Sequence, residues 1–265
     1  MSQDSLSSSV ELVDRVMRDT PIPTVTRRKL LQRAAVGAVG VAAASSLIPA
    51  SALADNGQGG QGQRHGSIHE WGVFASTSEA LTVTILTELL RRTSLHPEVP
   101  SSVSAIFDGI YAAELDHWNF ISKHFHPSTK HFWIPDGFFG GAGDALDLTA
   151  VGEGTSDGET LFVNTYLVGV TTFAKAGNFK FARYSAEACG DEAEHRVLGQ
   201  LLAGASPPNN RGFELFLYDN VGDIIAAAMS AGFGFGQPGT AAGRFYDFPN
   251  PPMAPPIPIT SNEPK

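Results

Sequence analysis

Two copies of one short pattern, Glu-x-x-His, constrain this chain more than any other feature. Glu114 and His117 lie in "AAELDHWNFI", and Glu192 and His195 in "ACGDEAEHRVLGQLL". Three residues apart in a helix is one side of that helix. Around the first pair, Val103, Phe107, Ile110, Trp118, Ile121 and Phe125 recur at the same helical spacing, so the pair points where a core should be. A carboxylate without a partner in an apolar interior is strongly disfavoured, so it must pair with a cation, coordinate a metal or take up a proton. With 13 glutamates and 8 histidines in 265 residues, chance supplies fewer than one such pair. The spacing alone is suggestive, and position has to decide.

Position is informative because the hydrophobic pattern between residues 67 and 235 reads as helices. Trp71, Ala75, Glu79, Val83, Leu86 and Leu90 repeat at steps of three and four from Ser67, and "RRTSLHP" stops that helix. A second helix is predicted from about Ser101 to Phe125, close enough to the first to lie antiparallel beside it. Residues 126–157 are rich in glycine, aspartate and aromatics and read as a long crossover. A third helix is predicted from about Gly158 to Ala176, and a fourth from the Gly177-Asn178 break to about Ala203. A shorter helix around "DNVGDIIAAAMSAGF" is expected to cap the assembly, and the proline-rich residues 236–265 to form an extended tail. The expectation is therefore an all-α fold: a ferritin-like four-helix bundle of two antiparallel hairpins joined by a long crossover, plus a short C-terminal helix.

Each Glu-x-x-His pair falls in the second helix of a hairpin, and each first helix has its own glutamate. Glu79 lies 35 residues before Glu114, and Glu159 lies 33 before Glu192. One glutamate from each of two helices, with a Glu-x-x-His from each of the other two, is the donor set of di-iron and di-manganese carboxylate bundles. Four carboxylates neutralise two divalent cations, and oxygen donors with imidazole nitrogen suit iron or manganese. The single cysteine, Cys189, excludes an internal disulfide framework and a thiolate-rich site.

Glu159 has a second reading, because Ser156 and Glu159 in "SDGE" also form a capping box at the start of the third helix. Glu187 and Glu194 are expected to face solvent. The whole set has a metal-free alternative in which carboxylates orient imidazoles by hydrogen bonds, although four clustered carboxylates without cations would raise one another's pKa. His124, His126 and His131 in "KHFHPSTKH" offer a weaker second metal possibility.

The N-terminus carries a paired Arg27-Arg28, a mildly apolar run from Ala34 to Ala50, and a small-residue A-x-A ending at Ala54. This resembles a twin-arginine export signal, with residues 1–54 as the signal and 55–66 as a linker. The apolar run is short for a membrane span of about 20 residues, so no stable span is expected after processing. After residue 54 the chain holds 23 acidic against 12 basic residues, which argues against a nucleic-acid partner.

These residues together resemble the ferritin-like superfamily, and more narrowly the exported ferritin-like proteins grouped with plant and bacterial desiccation-related proteins. The likeness covers residues 67–204, and "YLVG" beginning at Tyr166, seven after Glu159, matches a stretch of that type. The resemblance implies that Glu114 and Glu192 bridge two metals, with Glu79 and His117 terminal on one, Glu159 and His195 terminal on the other, and Tyr166 supporting them. It implies an extracytoplasmic di-metal protein whose partners are metal ions and oxygen or peroxide, acting as a ferroxidase or a catalase-like enzyme. The alternatives are a non-enzymatic stress-protection protein with a structural metal, and a binding module built on the crossover and tail.

Overall fold

The structure, a computed structural model, describes residues 67–205 and 216–264. The expected signal segment 1–54 and linker 55–66 lie outside the described residues. Within them the chain is mostly helical. Four long helices, α1 (Ile68–Leu95), α2 (Ser101–Ser122), α3 (Leu148–Lys175) and α4 (Phe179–Leu202), are followed by the short α5 (Val221–Ser230). Three strands, β1 (His131–Pro135), β2 (Gly234–Phe235) and β3 (Gly243–Asp247), complete the described elements with a 3₁₀ turn at Asp136–Phe139.

Local chemistry sets the helix ends. Ser67 opens α1 with a reciprocal capping box, its hydroxyl accepting from the Glu70 amide at 3.1 Å while its own amide donates to Glu70 Oε2 at 2.5 Å. Gly177, at a φ of +72° that side chains rarely adopt, turns the chain out of α3, and Asn178 caps α4 by accepting from the Phe181 amide. α1 is long and apolar enough to span a membrane by composition, but 83% of its most apolar window is buried inside the protein. Its hydrophobicity is accounted for by packing against α2, α3 and α5.

α3 begins ten residues before the expected Gly158. Asp147 accepts from the Thr149 and Ala150 amides and starts the helix there. "LTAVGEGTSDG" has poor helix propensity, and tertiary packing overrides it. A Cβ on Gly152 would lie 2.3 Å from the Ala203 amide nitrogen, and one on Gly199 would lie 2.7 Å from the Ser156 amide nitrogen. These two glycines let the α3 and α4 backbones touch, so the sequence that looks like a helix breaker is a helix contact. The crossover shrinks to residues 123–147, and the Ser156-Glu159 capping box does not exist, because both residues sit inside α3.

The tail also departs from expectation. Instead of a free extended arm, residues 243–247 form β3, which pairs antiparallel with β1 (Phe132 opposite Tyr246), while β2 pairs on the other side (Phe132 opposite Phe235). The small sheet adds to the all-α expectation, and alternation explains it. Phe132 and Ile134 point into the core, Phe248 follows them in, and Arg92, fully buried near the end of α1, reaches the Tyr246 hydroxyl at 2.9 Å.

Two apolar clusters fill the interior. One joins the C-terminal half of α1 to α2 and the sheet, and the other joins Trp71, Phe120, Tyr166, Phe173 and Tyr184 at the opposite end. The polar residues described next lie where the two meet.

Candidate metal centre

Each long helix sends a carboxylate inward to this boundary: Glu79 from α1, Glu114 from α2, Glu159 from α3 and Glu192 from α4. His117 and His195 join them from α2 and α4. Glu79, Glu114, His117 and Glu192 have no exposed surface, and Glu159 and His195 retain 4% and 5%. Burial this complete excludes the reading of Glu159 as a surface cap. Glu187 and Glu194 face solvent.

Glu114 Oε1 lies 2.9 Å from His195 Nδ1, and Glu114 Oε2 lies 3.7 Å from His117 Nδ1. Glu192 does the same with its own pair, Oε2 at 3.2 Å from His195 Nδ1 and Oε1 at 3.2 Å from His117 Nδ1. Glu79 Oε2 is 3.9 Å from His117 Nδ1. The atoms therefore form two groups that could each hold a metal ion, Glu79-Glu114-His117-Glu192 and Glu114-Glu159-Glu192-His195, with Glu114 and Glu192 common to both.

The fit to a cation is visible in what the donors lack. Glu79 Oε2, both oxygens of Glu114, His117 Nδ1, Glu159 Oε2 and Glu192 Oε1 are buried without a hydrogen-bond partner. Several of these atoms are within ion-pair distance of one another, but those contacts lack hydrogen-bond geometry. An unsatisfied buried polar atom costs about 1–3 kcal/mol, and six in one place call for a shared electrophile. Oxygen donors with one imidazole in each group fit a hard or borderline divalent cation.

Electrostatics tell the same story. Burial pushes the Glu79 carboxyl well above the usual range, and Glu114 adds to it. Burial does the same to Glu159, reinforced by Glu192 and Glu114. Burial would also raise Glu114, but the nearby imidazoles of His117 and His195 outweigh it and hold Glu114 well below its ordinary value. For the imidazoles burial opposes the charged form. Neighbours reverse this, Tyr184, Asp191, Glu114 and Glu192 raising His117, and Glu114 and Glu192 raising His195 to about 9.

The surroundings orient the donors. Tyr166, whose hydroxyl is buried, donates to Glu79 Oε1 at 2.5 Å, leaving Oε2 for the centre. Tyr166 and Tyr184 also pack edge-on against the His117 ring. A pocket of about 80 Å³, lined by Ser78, Thr82, Leu86, Phe162 and Ala228, reaches Glu159 and Gly158 from the side of α5.

Two contributors escaped the sequence reading. Asp191 Oδ2 lies 3.3 Å from His117 Nε2, and Asn262 in the C-terminal segment donates to the same oxygen. Asp191 immediately precedes Glu192, which is the only hint of it in the sequence; Asn262 has none. The histidines of the crossover do not converge. His124 packs against Phe120 and Phe181, and His131 pairs with Asp247 at 2.6 Å in the sheet. Cys189 is a buried thiol pushed up to about 12 by burial and Glu192, not a ligand. Comparison with protein-family models, with curated proteins and with solved structures gives no match, so the functional reading rests on this geometry.

Proposed function

We propose that the chain is a ferritin-like four-helix bundle that holds two divalent ions, iron or manganese, and carries out redox chemistry with oxygen or peroxide outside the cytoplasm. One observation carries the reading: Glu114 and Glu192 each present one oxygen to the His117 side and one to the His195 side, as bridging carboxylates would. In it, Glu79 and His117 complete one position, and Glu159 and His195 the other. The connectivity of two helical hairpins on either side of a crossover supports the ferritin-like assignment.

A pair of such ions would supply one-electron changes at adjacent positions, suited to ferroxidase or catalase-like turnover. The protein's own groups bind and orient. Asp191 fixes the outer nitrogen of His117 so that Nδ1 faces the centre, Tyr166 holds Glu79, and the aromatic wall of Trp71, Tyr166 and Tyr184 excludes water from one side. Export by the twin-arginine route, which Arg27 and Arg28 suggest, is part of the proposal.

The near-complete burial of the donors favours one competing reading, a structural metal in a stress-protection protein. Metal titration with oxygen-consumption and peroxide-decay assays separates the two. The proposal expects two ions per chain and turnover of one oxidant. It expects Glu79→Gln to lose one ion, Glu159→Gln the other, and Glu114→Gln to weaken both. Two bound ions inert to both oxidants favour the structural role. No ion bound by the folded protein removes both.

A further inference from the structure

The C-terminal segment is tied along α2 at three levels. Tyr111 donates to the Met253 carbonyl at 2.8 Å, the Asn262 amide donates to Asp116 Oδ2 at 2.9 Å, and Lys123 pairs with Glu263 at 3.1 Å. Ile259 packs against the core between the first two anchors. The middle anchor is unlike the others, because Asn262 grips two helices. Its backbone holds Asp116 on α2, and its side-chain amide holds Asp191 on α4.

We propose that Asn262 is a positioning residue for the metal centre, acting on His117 through Asp191. The inference rests on the metal-centre reading and adds to it a role for the end of the chain. Asp191 Oδ2 stands between two donors, His117 Nε2 at 3.3 Å and the Asn262 amide. A carboxylate at a helix surface, here with its side chain 38% exposed, has other rotamers open to it. The Asn262 amide, which must turn its nitrogen toward a carboxylate, holds it in the one that meets the imidazole. With Asp191 fixed, the His117 N–H sits on Nε2, and the lone pair on Nδ1 points at Glu79, Glu114 and Glu192. α2 and α4 make few direct contacts, so a clamp spanning both at the level of His117 also sets their spacing there.

The arrangement gives a selective expectation. Only one of the two donor groups contains His117. Loss of an outer partner of a ligating histidine costs about 10–100-fold in metal affinity. Asn262→Ala should weaken one Mn(II) of the pair by at least about tenfold in calorimetric titration and leave the other near its wild-type affinity. In the Co(II)-substituted protein, the paramagnetically shifted exchangeable N–H of one histidine should broaden or vanish while the second persists. Lys123→Ala loosens the same segment away from the centre and should do neither; truncation after Ser261 should reproduce Asn262→Ala. Circular dichroism confirms the fold of each variant. Unchanged Mn(II) affinities and both shifted N–H signals retained in Asn262→Ala overturn the clamp while leaving the metal reading in place. An equal loss in Lys123→Ala overturns it too, in favour of general tail docking. No Mn(II) uptake by the wild type overturns both.

Discussion

Metal loading of this centre should release protons, and the reason lies in how its buried donors are shifted. Without a cation, the surroundings shift His117 and His195 toward their protonated forms, and Glu79 and Glu159 toward theirs. Glu114 stays ionised. Ligation requires neutral imidazole and ionised carboxylate, so filling both positions near pH 7 displaces at least the His195 proton, and the upward shifts of the other three groups act in the same direction. His195 alone, raised to about 9, opposes binding by about 3 kcal/mol at pH 7 and gives about tenfold tighter binding per pH unit until its pKa is reached. The sign for stability is fixed by the same shifts. A group whose folded pKa is raised stabilises the metal-free fold fully below its ordinary value, and that stability is lost as pH rises through the folded pKa. For His195 the loss runs from about 6.5 to about 9. The loaded protein has no proton there to lose. Its melting temperature should therefore pull away from that of the metal-free protein as pH rises from about 6 to about 8, as binding tightens. The assay is Mn(II) calorimetry in two buffers of different ionisation enthalpy at each pH, which yields the protons released directly. Affinity flat over that range, or no proton release at pH 7, would refute the electrostatic account of the cluster.

Other expectations concern the frame. Arg92, with no exposed surface, binds Glu88, the Ala145 carbonyl and the Tyr246 hydroxyl and lies 3.9 Å over the Phe139 ring. Arg92→Ala should cost about 3–5 kcal/mol, read as a lower denaturant midpoint with an unchanged slope. Burial would raise Glu88, but hydrogen bonds from Arg91 and Arg92 hold it below its ordinary value. Its contribution is therefore present above the carboxylate range and lost as pH falls through its folded pKa, so Arg92→Ala should narrow the acid tolerance of the fold. Gly152→Ala places a Cβ 2.3 Å from the Ala203 amide nitrogen and should destabilise by about 1–3 kcal/mol, with weaker metal binding as α3 and α4 are forced apart. A Cβ on Gly158 meets nothing within 4 Å, so Gly158→Leu should fill the pocket beside Glu159 and slow oxidant-dependent turnover while the metal stoichiometry stays the same. Chelation should raise amide exchange most along α4 and least along α1, and a uniform change would contradict the packing described here.

The sequence made the centre legible because its donors obey helical arithmetic. Glu114 with His117 and Glu192 with His195 are three apart, and their faces could be read from the apolar residues around them. Glu79 followed from the same periodicity, and Tyr166 from the resemblance carried by "YLVG". What escaped detection depends on contacts between segments distant in the chain. The start of α3 was hidden because Gly152 and Gly199 count against a helix singly and favour it only as a facing pair. β3 was hidden because its partner β1 lies more than a hundred residues earlier, and a proline-rich context masks a five-residue strand. Asp191 has only its place before Glu192 to mark it, and Asn262 has nothing, since an asparagine near the end of the chain acquires meaning only when it lands beside a carboxylate that meets a histidine on another helix.

α4 shows why a core would tolerate this much charge. Its buried apolar side chains are few and mostly small, Tyr184, Ala188, Cys189 and Ala193, and its remaining buried positions include Glu192, His195, Arg196, Gly199 and Gln200. An apolar stripe that thin gives little burial energy to seat a helix of 24 residues. Two other attachments make up the difference. The glycine contact with α3 brings backbones together without needing large side chains, and the shared carboxylates tie α4 to α1, α2 and α3 at one point. The second attachment stabilises only when a cation satisfies the donors, because without one their unpartnered atoms oppose folding. Local rules of sequence and packing conflict at this cluster, as they would at a site kept for what it binds rather than for the stability it adds.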